Sequence, residues 1–426
     1  MVGTRKQRGP IRRFLSILGP GVVTGAADDD PSGIATYSIA GAQLGTSLLW
    51  TAFLTWPLMA AVQMACARIG MVTGAGLADA LRKKFPRFVL IAVALSLFGA
   101  NTINIAADLS GMADAAEMLS GLNSHYFVVV FGAALAVATI RLRYRQIAGA
   151  LKWLALVLFA YVITAIVVGP DWSVVLRDAI LPSLPRGREA WGTLVAILGT
   201  TISPYLFFWQ AEEEVEEEQE KPEKSPLLEA PRQAPGEFYR IRIDTYAGMA
   251  LSNLVALFIV ITTAATLHAH GVNDIQTSAQ AAEALRPIAG PFAFVLFAAG
   301  IIGTGLLALP VLAGSAAYAL GEAMRWQVGL AKQAGRAPAF YAAIALATIV
   351  GAALNFSPID PIKALFWSAV INGIVAVPVM VIMMMLTRRR DVMGDFVLPP
   401  ILRILGWLAT AVMAATVVAL AVSSLT

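Results

Sequence analysis

The chain has 426 residues, 58% of them hydrophobic and only 14% charged, with a formal net charge of +4, and its apolar runs repeatedly reach the ~20 residues that cross a bilayer. This is the composition of a polytopic membrane protein with no separate soluble domain, and its basic residues lie between apolar runs instead of forming a groove for nucleic acid. The single cysteine, Cys66, excludes a disulfide framework within one chain and any multi-cysteine metal centre, so metal chemistry here would use oxygen ligands.

Residues 1–13 carry Arg5, Lys6, Arg8, Arg12 and Arg13 and read as a cytoplasmic tail. The apolar run behind them has no small-residue cleavage site, which predicts a retained helix and not a secretory signal. Residues 14–426 form one transporter domain of eleven predicted spans, at about 14–43, 47–70, 87–119, 124–141, 147–169, 191–211, 244–269, 291–320, 338–355, 364–387 and 400–423. With the N-terminus inside, the loops bearing Arg82, Lys83, Lys84 and Arg87, then Arg141, Arg143 and Arg145, then Arg325, Lys332 and Arg336, then Arg388, Arg389 and Arg390 are all cytoplasmic. The opposite loops are poor in Lys and Arg apart from Arg177, Arg186 and Arg188, and an odd number of spans leaves the C-terminus outside. Without an organellar targeting signal, this places the protein in a bacterial inner (plasma) membrane, and it is read as a monomer whose partners are the bilayer and a small solute.

Between the sixth and seventh spans lies AEEEVEEEQEKPEKSPLLEAPRQAP, which predicts a solvated, flexible cytoplasmic loop over about 212–240. Two spans are interrupted alike. The first breaks at Asp30-Pro31-Ser32-Gly33 and the sixth at Gly199-Thr200-Thr201-Ile202-Ser203-Pro204, because proline removes a backbone donor and disfavours helix at the residue before it. Breaks five spans apart point to two inverted five-helix repeats, about 14–169 and 191–387, plus an eleventh helix at about 400–423, with the solute bound between the breaks.

A break in hydrocarbon frees backbone groups that cost several kcal/mol each when unpaired. A carboxylate at that depth adds ~3 kcal/mol or more unless a cation compensates it. Asp30 and the freed carbonyls of both spans therefore describe a hard-cation site with room for retained waters. The plainer reading of Asp30 is a cap on the helix that begins near Ser32. Asp29 and Asp28 are rotated from Asp30 by about 100° and 200° on a helix, so at most one of them, Asp28, joins it, and Asp29 meets water or a polar neighbour.

At these residues the sequence resembles the NRAMP family of divalent-metal transporters, which have a LeuT-like fold. GPG at Gly19–Gly21 and DPSG at Asp30–Gly33 look like the family's GPG and DPGN on the first helix, and ISPYLFFWQ looks like its MPH segment on the sixth. AADL at Ala106–Leu109, Asp244-Thr245, and GTGLLALPVLAG in the eighth span are further echoes. The resemblance implies metal binding by Asp30 and by the carbonyls of Ala27 and Thr200. It puts Gly33 where the family has Asn, Ser203 where it has Met, and Tyr205 where it has His; on the tenth span the nearest amide to the expected Gln is Asn372.

Losing the thioether removes the ligand that favours transition metals, and glycine enlarges the cavity. The site therefore looks like that of the NRAMP-related magnesium transporters, with partly hydrated Mg²⁺ as the expected cargo and Mn²⁺ beside it; no cofactor is expected. Ser203 has a plainer reading too, satisfying a neighbouring backbone group. The family's proton route is only partly present: Asp108 matches, its acidic partner aligns with Gly111, and Tyr205 and Gln210 stand at His positions. His125, His268 and His270 fall in or beside predicted external loops, and Asp114 and Glu117 near the outer end of the third span. Metal movement without protons is the expectation; a proton-coupled Mn²⁺/Fe²⁺ importer and an amino-acid transporter of the same fold are the alternatives. A channel fits less well, because channels usually build selectivity from repeated subunits. No HExxH, GxSxG or paired-histidine motif lies in the spans, which argues against an enzyme.

Overall fold

The computed structural model describes residues 19–141, 156–184, 186–221, 223–332 and 334–425. The helices that build it are α1 (Pro20–Asp28), α2 (Pro31–Leu44), α3 (Trp50–Thr73), α4 (Leu77–Arg82), α5 (Arg87–Ser120), α6 (Ser124–Arg141), α7 (Phe159–Val168), α8 (Trp172–Ile180), α9 (Arg188–Thr201), α10 (Pro204–Glu220), α11 (Ala234–Thr266), α12 (Ala293–Ala323), α13 (Pro338–Leu354), α14 (Pro361–Leu386) and α15 (Pro400–Ser423). Among the described residues, seven stretches are long and apolar enough to cross a membrane and three more are shorter apolar helices. With α1 and α2 they match the eleven expected spans. The start of the first span and the 147–155 part of the fifth, like the tail at 1–13, lie outside the described residues.

Two prolines set the architecture. α1 ends at Asp28, Asp30 is extended (φ −72°, ψ 170°), and Pro31 opens α2. α9 ends at Thr201, Ser203 is extended (φ −80°, ψ 133°), and Pro204 opens α10. Proline suits both positions because a first-turn N–H has no helical partner and the ring presets φ.

α11 packs along both α1 and α2, α9 lies on α14, and α5 lies on α12. The α1–α11 contact is made by backbone. A Cβ on Gly25 would strike the carbonyl of Gly248, and one on Gly248 would strike that of Gly21. This approach brings Asp244, buried in α11, to the start of α1, where it accepts the N–H groups of Gly19 (2.8 Å), Gly21 (2.7 Å) and Val22 (3.2 Å). A carboxylate there satisfies donors that every helix start leaves over and favours the positive end of the helix dipole.

The acidic run departs from expectation. Glu212–Glu220 continues α10, and α11 begins at Ala234, so a solvated loop over 212–240 is corrected to two helices and a short connection. Glu212 and Glu214 are buried. Arg240 forms ion pairs with Glu214, Glu217 and Glu237, and Tyr318 donates to Glu216. Glutamate has good helix propensity, and these distant partners let the helix face inward.

Replacing Asp244 with alanine should strand one buried and two partly buried N–H groups and lower stability by about 1–2 kcal/mol, whereas Asp244→Asn keeps an acceptor and should cost less. Thermal unfolding of the purified protein in detergent checks the order; an alanine variant as stable as the parent rejects the cap.

Candidate cation site at the two helix breaks

A helical carbonyl bonds the N–H four residues on. Proline has none, so Pro31 orphans the carbonyl of Ala27 and Pro204 orphans that of Thr200. These are the two carbonyls that the resemblance implies as ligands, and both residues are buried. Each receives one hydroxyl. Tyr205 Oη donates to Ala27 O at 3.2 Å, and Ser203 Oγ donates to Thr200 O at 2.8 Å and to Gly199 O at 2.7 Å. A carbonyl has two lone pairs, so a further partner is still possible at each.

Asp30 divides its oxygens. Oδ1 caps α2, accepting Gly33 N–H at 2.7 Å and Ser32 Oγ–H at 2.8 Å. Oδ2 lies 3.3 Å from Tyr205 Oη, so the second residue of α10 touches both the carboxylate and the orphaned carbonyl of the first break. The plainer readings of Asp30 and Ser203 are thus both visible in the structure, and each leaves oxygen lone pairs free.

Gly33 faces the same place. A Cβ there would lie 3.1 Å from Thr200 Oγ1 and 3.3 Å from both Asp28 O and Asp30 Oδ1. The missing side chain leaves a cradle bounded by oxygens of both breaks.

Other expected residues are placed differently. The Asp28 carboxylate turns to α11, where Oδ2 accepts Ser252 Oγ–H at 2.6 Å, so Asp28 faces the cradle through its carbonyl. Asp29 shares that serine at 3.1 Å and is buried beside a polar neighbour, not in a watery vestibule. Asp108, on α5, is within electrostatic reach of Asp30 and near the Ser32 amide, and both its oxygens are buried without a well-formed hydrogen bond. Gln210 lies further down α10, bonded to Thr24 Oγ1 (2.7 Å) and Glu214 (3.2 Å). Asn372 Oδ1 accepts from Asn104 Nδ2 at 2.8 Å in the α5–α14 seam; no hydrogen bond ties either Gln210 or Asn372 to Asp30.

Asp28, Asp29, Asp30 and Asp108 are all buried, and none is ion-paired among the described residues. No group of three His, Cys, Asp or Glu side chains among the described residues is placed to hold a metal. A cation here would therefore use carbonyl and hydroxyl oxygens beside one carboxylate. Sequence reasoning missed Ser252, Asn104 and the Tyr37–Thr201 hydroxyl contact (3.0 Å). Asn104 had a signal, since it stands one helical turn before Asp108 on the same face; Ser252 had none.

Two broken helices meeting in the middle of an all-helical bundle define a LeuT-like membrane protein. Residues 21–423 match the family described as natural resistance-associated macrophage protein-like, and the chain belongs to that family. It is 27% identical over 430 residues to the "Divalent metal cation transporter MntH" of Deinococcus radiodurans, covering 97% of this chain and 91% of the relative. The protein of the same name from Yersinia pestis is 28% identical over 310 residues, covering 70% and 71% of the two chains. Among solved structures, the Eremococcus coleocola manganese transporter superposes with a TM-score of 0.73 at 18% identity, over 98% of this chain and 88% of that one. Mhp1, a nucleobase-cation-symport-1 family transporter, gives 0.52 at 14% identity, over 95% and 93%. The structural likenesses establish the shared fold.

Gly33→Ala should weaken cation binding and Gly33→Leu should abolish it, because each fills the cradle from a regular helical position. Calorimetric titration of purified variants with Mg²⁺ and Mn²⁺ tests this; unchanged binding by Gly33→Leu would place the ion elsewhere.

Proposed function

We propose that this chain is a secondary transporter that carries divalent metal cations across the membrane by alternating access, binding the ion between the α1–α2 and α9–α10 breaks. The observation that carries this reading is the convergence on one buried point of the Asp30 carboxylate, Thr200, Tyr205 and the orphaned carbonyl of Ala27. An uncompensated carboxylate at that depth is unfavourable, and a doubly charged ion that prefers oxygen removes the penalty. The names of the MntH relatives support the substrate class, as does the absence of catalytic motifs the conclusion that this is a carrier and not an enzyme.

The cargo we favour is hard and partly hydrated, Mg²⁺ first and Mn²⁺ beside it. The donors gathered at the breaks are oxygens, Ser203 offers no sulfur, and the Gly33 cradle leaves space for water. Mn²⁺ has the support of the Eremococcus coleocola protein's name. We read transport as driven by the metal gradient and the membrane potential, which contributes ~2.3 kcal/mol per charge per 100 mV. The protein is read as a monomer in the plasma membrane with the end bearing Arg82, Lys84 and Arg389 cytoplasmic, so that the C-terminus is external.

Asp30→Asn is the sharpest test, because asparagine keeps the cap on α2 while removing the charge. It should lower metal uptake into liposomes at least tenfold, ~1.4 kcal/mol, with thermal stability nearly unchanged; uptake at the parent rate would reject the site. Ser203→Cys, close in size and softer, should raise Cd²⁺ affinity relative to Mg²⁺; no shift in that ratio would remove Ser203 from the ligand shell. A pH dye inside the liposomes should stay flat during metal entry, and metal-driven acidification would show that protons travel as well.

A further inference from the structure

The acidic run contributes Glu212 to a buried carboxylate pair that the cation site does not use. Glu212 on α10 and Glu322 near the end of α12 are 4% and 7% exposed. Their carboxylates converge beneath Gly76, where an added Cβ would strike Oε1 of both. Glu322 is anchored: its Oε2 accepts the Asp79 N–H at 3.0 Å at the start of α4, and its carbonyl accepts Arg82 Nη1 at 3.1 Å. Glu212 Oε1 is buried and has no hydrogen-bond donor.

The side chains that act on Glu212 are acidic, namely Glu322 from α12, Asp79 from α4, and Glu216 one turn further along α10. The nearby bases are engaged: Arg82 pairs with Asp79, and Arg240 with Glu214, Glu217 and Glu237. Of the remaining bases around α10, Lys332 lies beside Gly329 and Glu216 and is exposed. Arg68, the one charge on α3, lies over the Phe238 ring (3.7 Å), Lys363 on α14 and Arg87 on α5 are exposed, and α1 carries only Asp28, bonded to Ser252.

Two carboxylates held face to face away from water, with the one neighbouring guanidinium, Arg82, paired to Asp79 and bonded to the Glu322 main chain, do not both ionise; one proton between them removes the repulsion and supplies the donor that Oε1 lacks. We infer that Glu212 and Glu322 form a proton-binding site that latches α10 to α12 and α4. Loss of the proton leaves two like charges in contact and drives α10 from its neighbours. Tyr205, which touches Asp30, stands seven residues from Glu212 on the same helix, about two turns away. The pH on this face of the bundle therefore sets how readily α10 moves, and with it release of the ion; this consequence rests on the transporter reading, whereas the proton site does not. A divalent cation is the rival occupant, and no third acidic or His ligand among the described residues completes a site for it.

The test uses the full-length chain. Infrared difference spectra between acid and alkaline pH should show the C=O stretch of a protonated carboxyl in the parent, and Glu212→Gln and Glu322→Gln should each lose that component. In liposomes, Mn²⁺ uptake should rise several-fold as pH is raised on the face bearing Glu322, and Glu212→Gln, whose amide donates to Glu322 and holds the latch, should be slow and flat with pH. Identical bands in parent and both variants, or parent uptake indifferent to pH on that face, overturns the latch. A band that appears only after chelation assigns the pair to a metal and overturns the proton. If the band behaves as expected while no metal is transported, the transporter reading fails and the proton site stands.

Discussion

The absence of two N–H groups governs this structure. Pro31 and Pro204 leave the carbonyls of Ala27 and Thr200 without helical partners, in a region where no lipid can supply a donor. Tyr205 and Ser203 hydroxyls meet part of that demand. For the carboxylates next to it they offer only the Tyr205 hydroxyl, 3.3 Å from Asp30 Oδ2, and among the described residues none of these buried aspartates is paired with a base. Breaks, orphaned carbonyls and buried aspartates are each unfavourable alone, and the oxygen-seeking cation proposed here would relieve all three. The same economy appears in Asp30, whose two oxygens serve a helix cap and the space between the breaks at once.

Half-helices as short as α1 hold their place through close backbone contact. Gly25 and Gly248 let α1 and α11 touch along their main chains, and Gly199 lets α9 do the same against Ala369 and Gly373 on α14. Such small-residue contacts suit a bilayer, where association of helices draws little from the hydrophobic effect. Asp244 then ties the start of α1 to α11, so the position of the first break is set from the side of the bundle that also supplies Ser252 to Asp28 and Asp29.

The spans and both breaks could be read from the sequence, because apolar length and proline position act locally. The place of Asp30 at the first break was legible for the same reason. The acidic run was not: its burial depends on Arg240, Tyr318 and Glu322, which lie far along the chain and come together only through the packing of α11 and α12. Composition registers charge and is silent on partners. The direction of Asp28 also escaped, since a helical wheel fixes angles relative to Asp30 but not which neighbour, here Ser252, waits there. The hydrogen bond from Asn104 to Asn372 also escaped, a pairing between two helices that no local pattern encodes.

α10 joins the two buried acidic regions. Its second residue, Tyr205, reports on the first break, and Glu212 reports on the proton between α10 and α12, with Gln210 between them bonded to Thr24 of α1. A helix of this length moves as a unit, so a displacement that separates Glu212 from Glu322 also changes the distance from Tyr205 to Ala27 and Asp30. Occupancy of either region thus biases the other through one rigid element, and by linkage the effect is mutual. An ion that holds Tyr205 in place favours the latched position of α10, and a proton that holds the latch favours the ion. For a carrier this direction has a consequence: release toward the latched face is helped when that face is alkaline, even if no proton crosses with the metal.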